Sequence, residues 1–196
     1  MLKVALTGNI GSGKTLICRF FEILGVPVFY ADAQAKKLYE NKKILLKVKQ
    51  EFGDEILTSQ GNLNKTVLAE KIFTNKENLK KINSIIHPEV SKIFEEWAGN
   101  QRNKPYVIQE AAILFETGGY KRFDKSILVY APEEILIERV MKRDGLSRKE
   151  VLNRLQNQMD QEKKKQLADY LILNDNSQLL IPQILKLHQQ LMDLQK

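Results

Sequence analysis

The sequence predicts an α/β fold, a parallel sheet with helices on both faces, and three observations carry that expectation. A short apolar run at 3–7 passes through a glycine-rich turn into the helical apolar spacing of 14–24. Short β-like runs recur at 26–30, 105–110, 126–130 and 170–173, with helical segments between most of them. The stretch between the second and third runs is instead long, helical and without a confident strand. Strands that alternate with helices favour parallel pairing, with the helices packed on both sheet faces.

Each element has a local reason. Gly25 stops the first helix, and the second strand leaves Asp32 at its carboxyl end. From residue 33 the signals are helical at 44–52, 66–73 and 79–97, broken by polar turns such as Ser59-Gln60-Gly61-Asn62. A helical stretch inserted between two strands of a parallel sheet commonly forms a lobe that covers a substrate, and this one is read as an acceptor-binding lobe. Pro132, followed by Glu133 and Glu134, suits a helix start, where proline needs no donor and acids favour the helix dipole. An amphipathic helix at 178–194 closes the chain.

At 196 residues, 43% hydrophobic and 28% charged, the chain suits one sizeable domain and shows no disordered, highly charged tail. No apolar run approaches the roughly 18–20 residues that span a bilayer, so neither signal peptide nor membrane partner is expected. Cys18 is alone, which excludes an intramolecular disulfide and, within a helical apolar pattern, suits a buried thiol and a cytoplasmic location. The net charge of +7 suits either a nucleic acid or a polyphosphate small molecule, and with no recognition module visible no nucleic-acid partner is expected. The short cluster Lys163–Lys165 reads as a solvated helix face.

The chemistry lies in Gly8-Asn9-Ile10-Gly11-Ser12-Gly13-Lys14-Thr15, a full match to G-x-x-x-x-G-K-[ST] between a predicted strand and a predicted helix. The glycines let the backbone curl until successive N–H groups face phosphate oxygens, and the helix N-terminus adds positive potential. Lys14 is expected to reach the β- and γ-phosphates of ATP, and the Thr15 hydroxyl to ligate Mg²⁺. The fold expected is thus of the P-loop NTPase type. A GTPase would carry N-K-x-D, but the Asn-Lys pairs at Asn41, Asn64 and Asn75 lack the aspartate. The Ser-Gly-Gly core of the ABC signature is also absent.

Separated segments from Lys3 to about Leu194 resemble, in order, the dephospho-CoA kinase family. They begin with the strand and loop, through Leu16 just after it, and continue with Val28-Phe29-Tyr30-Ala31-Asp32, where Tyr30 replaces the first aspartate of the family's Asp-Ala-Asp. Ile86-His87-Pro88-Glu89-Val90 resembles its I-H-P-x-V segment. The run 107–116 resembles a strand followed by P-L-L-F-E, with Ala112 in place of proline. The run 137–145 resembles the start of its lid, with Leu136 where glutamine is frequent. Arg154 with Gln158, and Ala168-Asp169 through Asn174, match its R-x-x-x-Q and A-D-y-x-I-x-N segments.

The resemblance implies ATP-dependent phosphorylation of the ribose 3′-hydroxyl of dephospho-CoA, the last step of coenzyme A biosynthesis, with ATP as donor and Mg²⁺ as metal. It makes Asp32 the catalytic carboxylate, a residue that in sequence terms equally suits a helix cap. It makes His87 a substrate contact, although a position before Pro88 also suits a cap bracing a helix start. Glu110 becomes an acid reaching Mg²⁺ through water and Glu116 an acceptor-side acid, or each a solvated or capping acid. Leu114 and Phe115 become a wall of the CoA-side pocket or plain core. Arg139 and Arg143, four apart on one helix face, become a clamp on one anionic ligand, or partners of acids such as Glu138 and Asp144. Asn174 approaches the adenine or shapes its turn. The expected division is a core at about 1–32, 104–138 and 167–196, an acceptor lobe at about 33–103 and a lid at about 139–166.

Overall fold

The structure, a computed structural model, describes residues 1–73 and 75–194. The chain opens with β1 (Leu2–Thr7), α1 (Lys14–Ile23) and β2 (Val28–Tyr30). Four helices follow: α2 (Ala31–Leu38), α3 (Lys42–Phe52), α4 (Lys65–Phe73) and α5 (Lys76–Gly99). The alternation then resumes with β3 (Tyr106–Glu110), β4 (Lys125–Tyr130), α6 (Glu133–Asp144), α7 (Arg148–Gln156), α8 (Gln161–Leu167), β5 (Tyr170–Leu173) and α9 (Leu180–Asp193). By contacts the chain falls into two compact units, Met1–Tyr30 with Asn100–Lys196, and Ala31–Gly99.

The first unit is built on a five-stranded sheet in the order β2-β3-β1-β4-β5, and its paired strands are parallel, as the alternation predicts. Its central strands are nearly continuous apolar runs because both faces are covered. Val4, Leu6, Ile108, Ile127, Val129 and Ile172 pack with Ile17, Cys18 and Phe21 of α1 and Ile184, Leu187 and Leu191 of α9. Cys18 is fully buried, and that burial pushes its thiol well above the ordinary range, which makes it inert. Because the strands are parallel, the carboxyl ends of β1, β3, β4 and β5 share one edge, where open α/β sheets gather ligands. No helix among the described residues is long and apolar enough to cross a membrane.

Near the start of β3, the fully buried Tyr106 pairs its hydroxyl with His188 Nδ1 of α9 at 2.7 Å. Burial lowers the His188 pKa from its ordinary value, so the folded state disfavours the imidazolium. The unfolded chain then binds the proton more readily, and stability falls as pH drops through about 6.5. Melting temperature measured against pH should show that slope, and His188→Gln should flatten it.

The second unit is helical, with α2, α3 and α4 packed against α5. Ile44, Val48, Phe52, Ile56, Leu68, Ile82, Ile86, Val90 and Phe94 are among its buried apolar positions. Asn41 caps α3 by accepting from Lys43 N at 2.9 Å. One expectation needs correction here: Pro88 does not start a helix, and His87 is not a cap. Both lie inside the 24-residue α5. Proline deletes one intrahelical donor, yet buried Ile86, Val90 and Phe94 fall on a single helical stripe across that position, and their packing carries the helix through. Ser91 Oγ meanwhile donates to the His87 carbonyl at 2.8 Å.

Candidate active site

The loop 8–13 leaves the central strand β1 and closes onto α1 with left-handed glycines at Gly11 (φ 83°) and Gly13 (φ 92°). At Gly11 a Cβ would lie 2.7 Å from the Leu136 carbonyl oxygen, so the loop packs directly on the backbone of α6. At Gly13 a Cβ would collide with Asn174 Nδ2. Gly13 is also the N-cap of α1 and supplies no side-chain cap, which leaves the positive end of the helix to a ligand. Gly13→Ala combines a left-handed strain of about 1–2 kcal/mol with that collision. It should raise the KM for ATP roughly tenfold or more in steady-state kinetics.

Lys14 folds back into the loop, its ammonium donating to the carbonyls of Gly8 at 2.8 Å and Asn9 at 3.3 Å. A carbonyl is a weaker acceptor than an anion, so an ammonium that donates to loop carbonyls can exchange them for phosphate oxygens. Thr15 and Leu16 are exposed on the first turn of α1. The carboxylate of Glu110 is buried at the end of β3, in register with Leu6 of β1. Beside it Tyr30, where the family resemblance expects an aspartate, has its hydroxyl pKa raised by burial and by the neighbouring Cys18, Glu22 and Glu110.

Asn174, just past β5, ties several parts together. Its backbone N–H donates to the Tyr130 carbonyl and its Nδ2 to the Ser12 carbonyl, both at 2.8 Å. Its Oδ1 accepts from Arg139 Nη2 at 3.3 Å, and the same nitrogen reaches Asn176 Oδ1 at 2.8 Å. Arg139 Nη1 is buried with no hydrogen-bond partner, a donor that an anion would satisfy. Of the two readings of Arg143, clamp or partner of an acid, this structure holds the second. Arg143 forks onto its neighbour Asp144, at 2.7 and 3.0 Å, because α6 ends there at the left-handed Gly145 and the chain turns.

A second correction concerns the lysine cluster. Lys163 and Lys165 are exposed, but Lys164 is 0% exposed. Its ammonium donates to Asn9 Oδ1 at 2.6 Å and pairs with Glu116 Oε1 at 2.7 Å. Burial lowers its pKa while Glu116 opposes that shift. Removing one partner of such a buried pair typically costs about 3–5 kcal/mol. Glu116 is therefore engaged within this unit, and its Oε1 also accepts from Met159 N at 2.9 Å. Leu114 and Phe115 are buried, Phe115 with its ring 4.8 Å from that of Tyr120.

Gln158, which the sequence shows only as part of R-x-x-x-Q, accepts from the loop's Ile10 N–H at 2.9 Å. A cavity of about 430 Å³ lies here, lined by residues that include Asn9, Leu136, Gln158 and the acids Glu133, Asp160 and Glu162. Its three carboxylates make this cavity an unfavourable seat for a polyphosphate. In the second unit, Asp32 is exposed in the first turn of α2, where an acid suits the helix dipole, and His87 is half-buried on α5.

The parallel sheet, the strand–loop–helix with Lys14 inside the loop, and the open α1 N-terminus are those of the P-loop nucleotide-binding class. Comparison with known proteins narrows this class. The family model for dephospho-CoA kinase matches residues 2–179. A dephospho-CoA kinase of Bacteroides fragilis is 37% identical over 95% of this chain and 91% of its own length. A dephospho-CoA kinase of Campylobacter jejuni superposes with a TM-score of 0.69 at 31% identity, covering 97% of both chains. A Thermus thermophilus protein does so at 0.85 with 35% identity and 96% coverage of each. This chain belongs to the dephospho-CoA kinase family.

Proposed function

We propose that the protein transfers the γ-phosphoryl group of ATP to the ribose 3′-hydroxyl of dephospho-CoA, giving coenzyme A and ADP. The observation that carries this reading is the phosphate loop at the carboxyl end of the central strand, with the Lys14 ammonium inside it, in a chain of this family. The 3′-oxygen attacks the γ-phosphorus, the bond to the β,γ-bridging oxygen breaks, and ADP leaves. Asp32 orients the acceptor hydroxyl and accepts its proton late in transfer. Lys14 exchanges its loop carbonyls for β- and γ-phosphate oxygens, and the loop N–H groups hold the same oxygens against the α1 N-terminus.

Arg139 offers its unpaired Nη1 to the phosphates, and Arg143 joins it by leaving Asp144 when the lid segment closes. Leu16 lies over the nucleotide. His87, Leu114, Phe115 and Glu116 carry over from the family as acceptor-side residues, His87 on the helical unit and the others behind β3. The donors fit a magnesium ion, which takes one or two protein oxygens and keeps its waters and substrate phosphates. Thr15 and Glu110 would hold it, and when bound it neutralises charge on the β- and γ-oxygens. On this reading the +7 charge serves polyphosphate substrates, and the enzyme works in the cytoplasm.

Regiochemistry tests the proposal. The product should gain one phosphate by mass, keep its ribose uncleaved by periodate because a phosphate on the 2′- or 3′-oxygen removes the cis-diol, and show phosphorus coupling to the ribose H3′ rather than H2′ in its NMR spectrum. A product of that mass that periodate still cleaves would place the phosphate elsewhere.

A further inference from the structure

The wholly buried ammonium of Lys164 closes a ring of hydrogen bonds around the phosphate loop. Lys164 Nζ donates to Asn9 Oδ1 at 2.6 Å, and Asn9 Nδ2 donates to the Met159 carbonyl at 3.4 Å. Met159 N–H donates to Glu116 Oε1 at 2.9 Å, and that oxygen returns to Lys164 at 2.7 Å. Asn9 is the first free position of the loop motif, where the pattern demands no particular side chain. Here its side chain is held by Lys164, while its backbone carbonyl accepts from Lys14 Nζ at 3.3 Å and from Ser12 N at 3.0 Å. One residue thus joins the two lysines, Lys164 through the amide side chain and Lys14 through the peptide oxygen.

We propose that Lys164 is a positioning residue for the nucleotide, acting through Asn9 to hold the first peptides of the loop in the phosphate-binding shape. The reasoning is mechanical and electrostatic. Three side-chain hydrogen bonds fasten the Asn9–Ile10 end of the loop to α8 and the segment before it, from Lys164 to Asn9 Oδ1, from Asn9 Nδ2 to the Met159 carbonyl and from the Ile10 N–H to Gln158, among the bonds of the described residues. With the Asn9 peptide fixed, its carbonyl keeps Lys14 within the loop and its neighbours keep their N–H groups aligned. Glu116 serves the buried ammonium as counter-charge, and the ammonium itself has no exposure to solvent. The inference rests on the reading of the loop as the ATP-phosphate site.

Two variants separate positioning from mere stability. Asn9→Gly deletes the grip and leaves the Lys164–Glu116 pair whole, whereas Lys164→Met combined with Glu116→Gln removes the pair without stranding a buried charge. MgATP affinity by calorimetry, KM and kcat for both substrates, and melting temperature are measured for each and for the wild type. The expected result is a rise of about tenfold in Kd and KM for ATP in both variants. The KM for dephospho-CoA should be unchanged in Asn9→Gly, and combining all three substitutions should weaken ATP no further than either variant alone. MgATP binding within twofold of wild type in Asn9→Gly would overturn the inference, whatever happens to melting temperature and even if the double variant fails to fold. If the wild type binds MgATP but does not phosphorylate dephospho-CoA, the acceptor assignment fails while the calorimetric comparison still decides the role of Lys164.

Discussion

Lys14→Met leaves a folded protein whose turnover with ATP and dephospho-CoA falls by on the order of 10³-fold. Methionine matches the lysine stem in length and removes only the charge and the donors. The side chain donates to carbonyls of the loop itself, those of Gly8 and Asn9, so the substitution acts mainly on the loop. Transfer loses the cation that the loop itself supplies where negative charge on the β- and γ-phosphates must be stabilised. Rapid-quench or steady-state kinetics measure the effect, and a melting temperature near that of the wild type shows that it is local. A fall of less than tenfold would mean that the loop binds phosphate without lending its lysine to the transition state.

Asp32→Asn should keep MgATP affinity within a few-fold and lower kcat by on the order of 10²-fold or more, the scale of general-base assistance. Asparagine preserves size and can still hydrogen-bond a hydroxyl, but it cannot take the proton. The residue lies exposed in the first turn of α2, where its loss as a favourable dipole partner costs only about 0.3–1 kcal/mol. A stability role therefore predicts a small shift in melting temperature and normal kcat, whereas a base predicts the reverse. Near-normal turnover would remove Asp32 from the chemistry and leave it a dipole partner of its helix.

How much of this was legible follows from which interactions are local. The loop was, because its backbone curl demands glycine at Gly11 and Gly13 and the motif encodes that demand in its spacing. The strands were, because β3 and β4 are short apolar runs buried on both faces. The start of α2 was not: Ala31 follows Tyr30 with no glycine, proline or turn residue to mark the change, so strand passes to helix unannounced. Pro88 misled because proline favours a first helical turn, and only the buried stripe of α5 overrides it.

Lys164 was hidden for a different reason. Its helix is seven residues long, too short for periodicity to distinguish one buried lysine from its exposed neighbours Lys163 and Lys165, and its partners are 155 and 48 positions away. Arg143 shows the converse. Helical spacing puts it on one face with Arg139, and the adjacent Asp144, also visible in the sequence, is the acid on which its guanidinium forks in this structure.

The central claim is that the phosphate loop serves transfer to one acceptor, and its most direct test is ADP release from Mg-ATP with dephospho-CoA, adenosine, AMP, CMP or no acceptor. Stimulation by dephospho-CoA alone, with one ADP formed for each coenzyme A, is the result expected. Equal or greater stimulation by another acceptor, or the same ADP release with none, would contradict it.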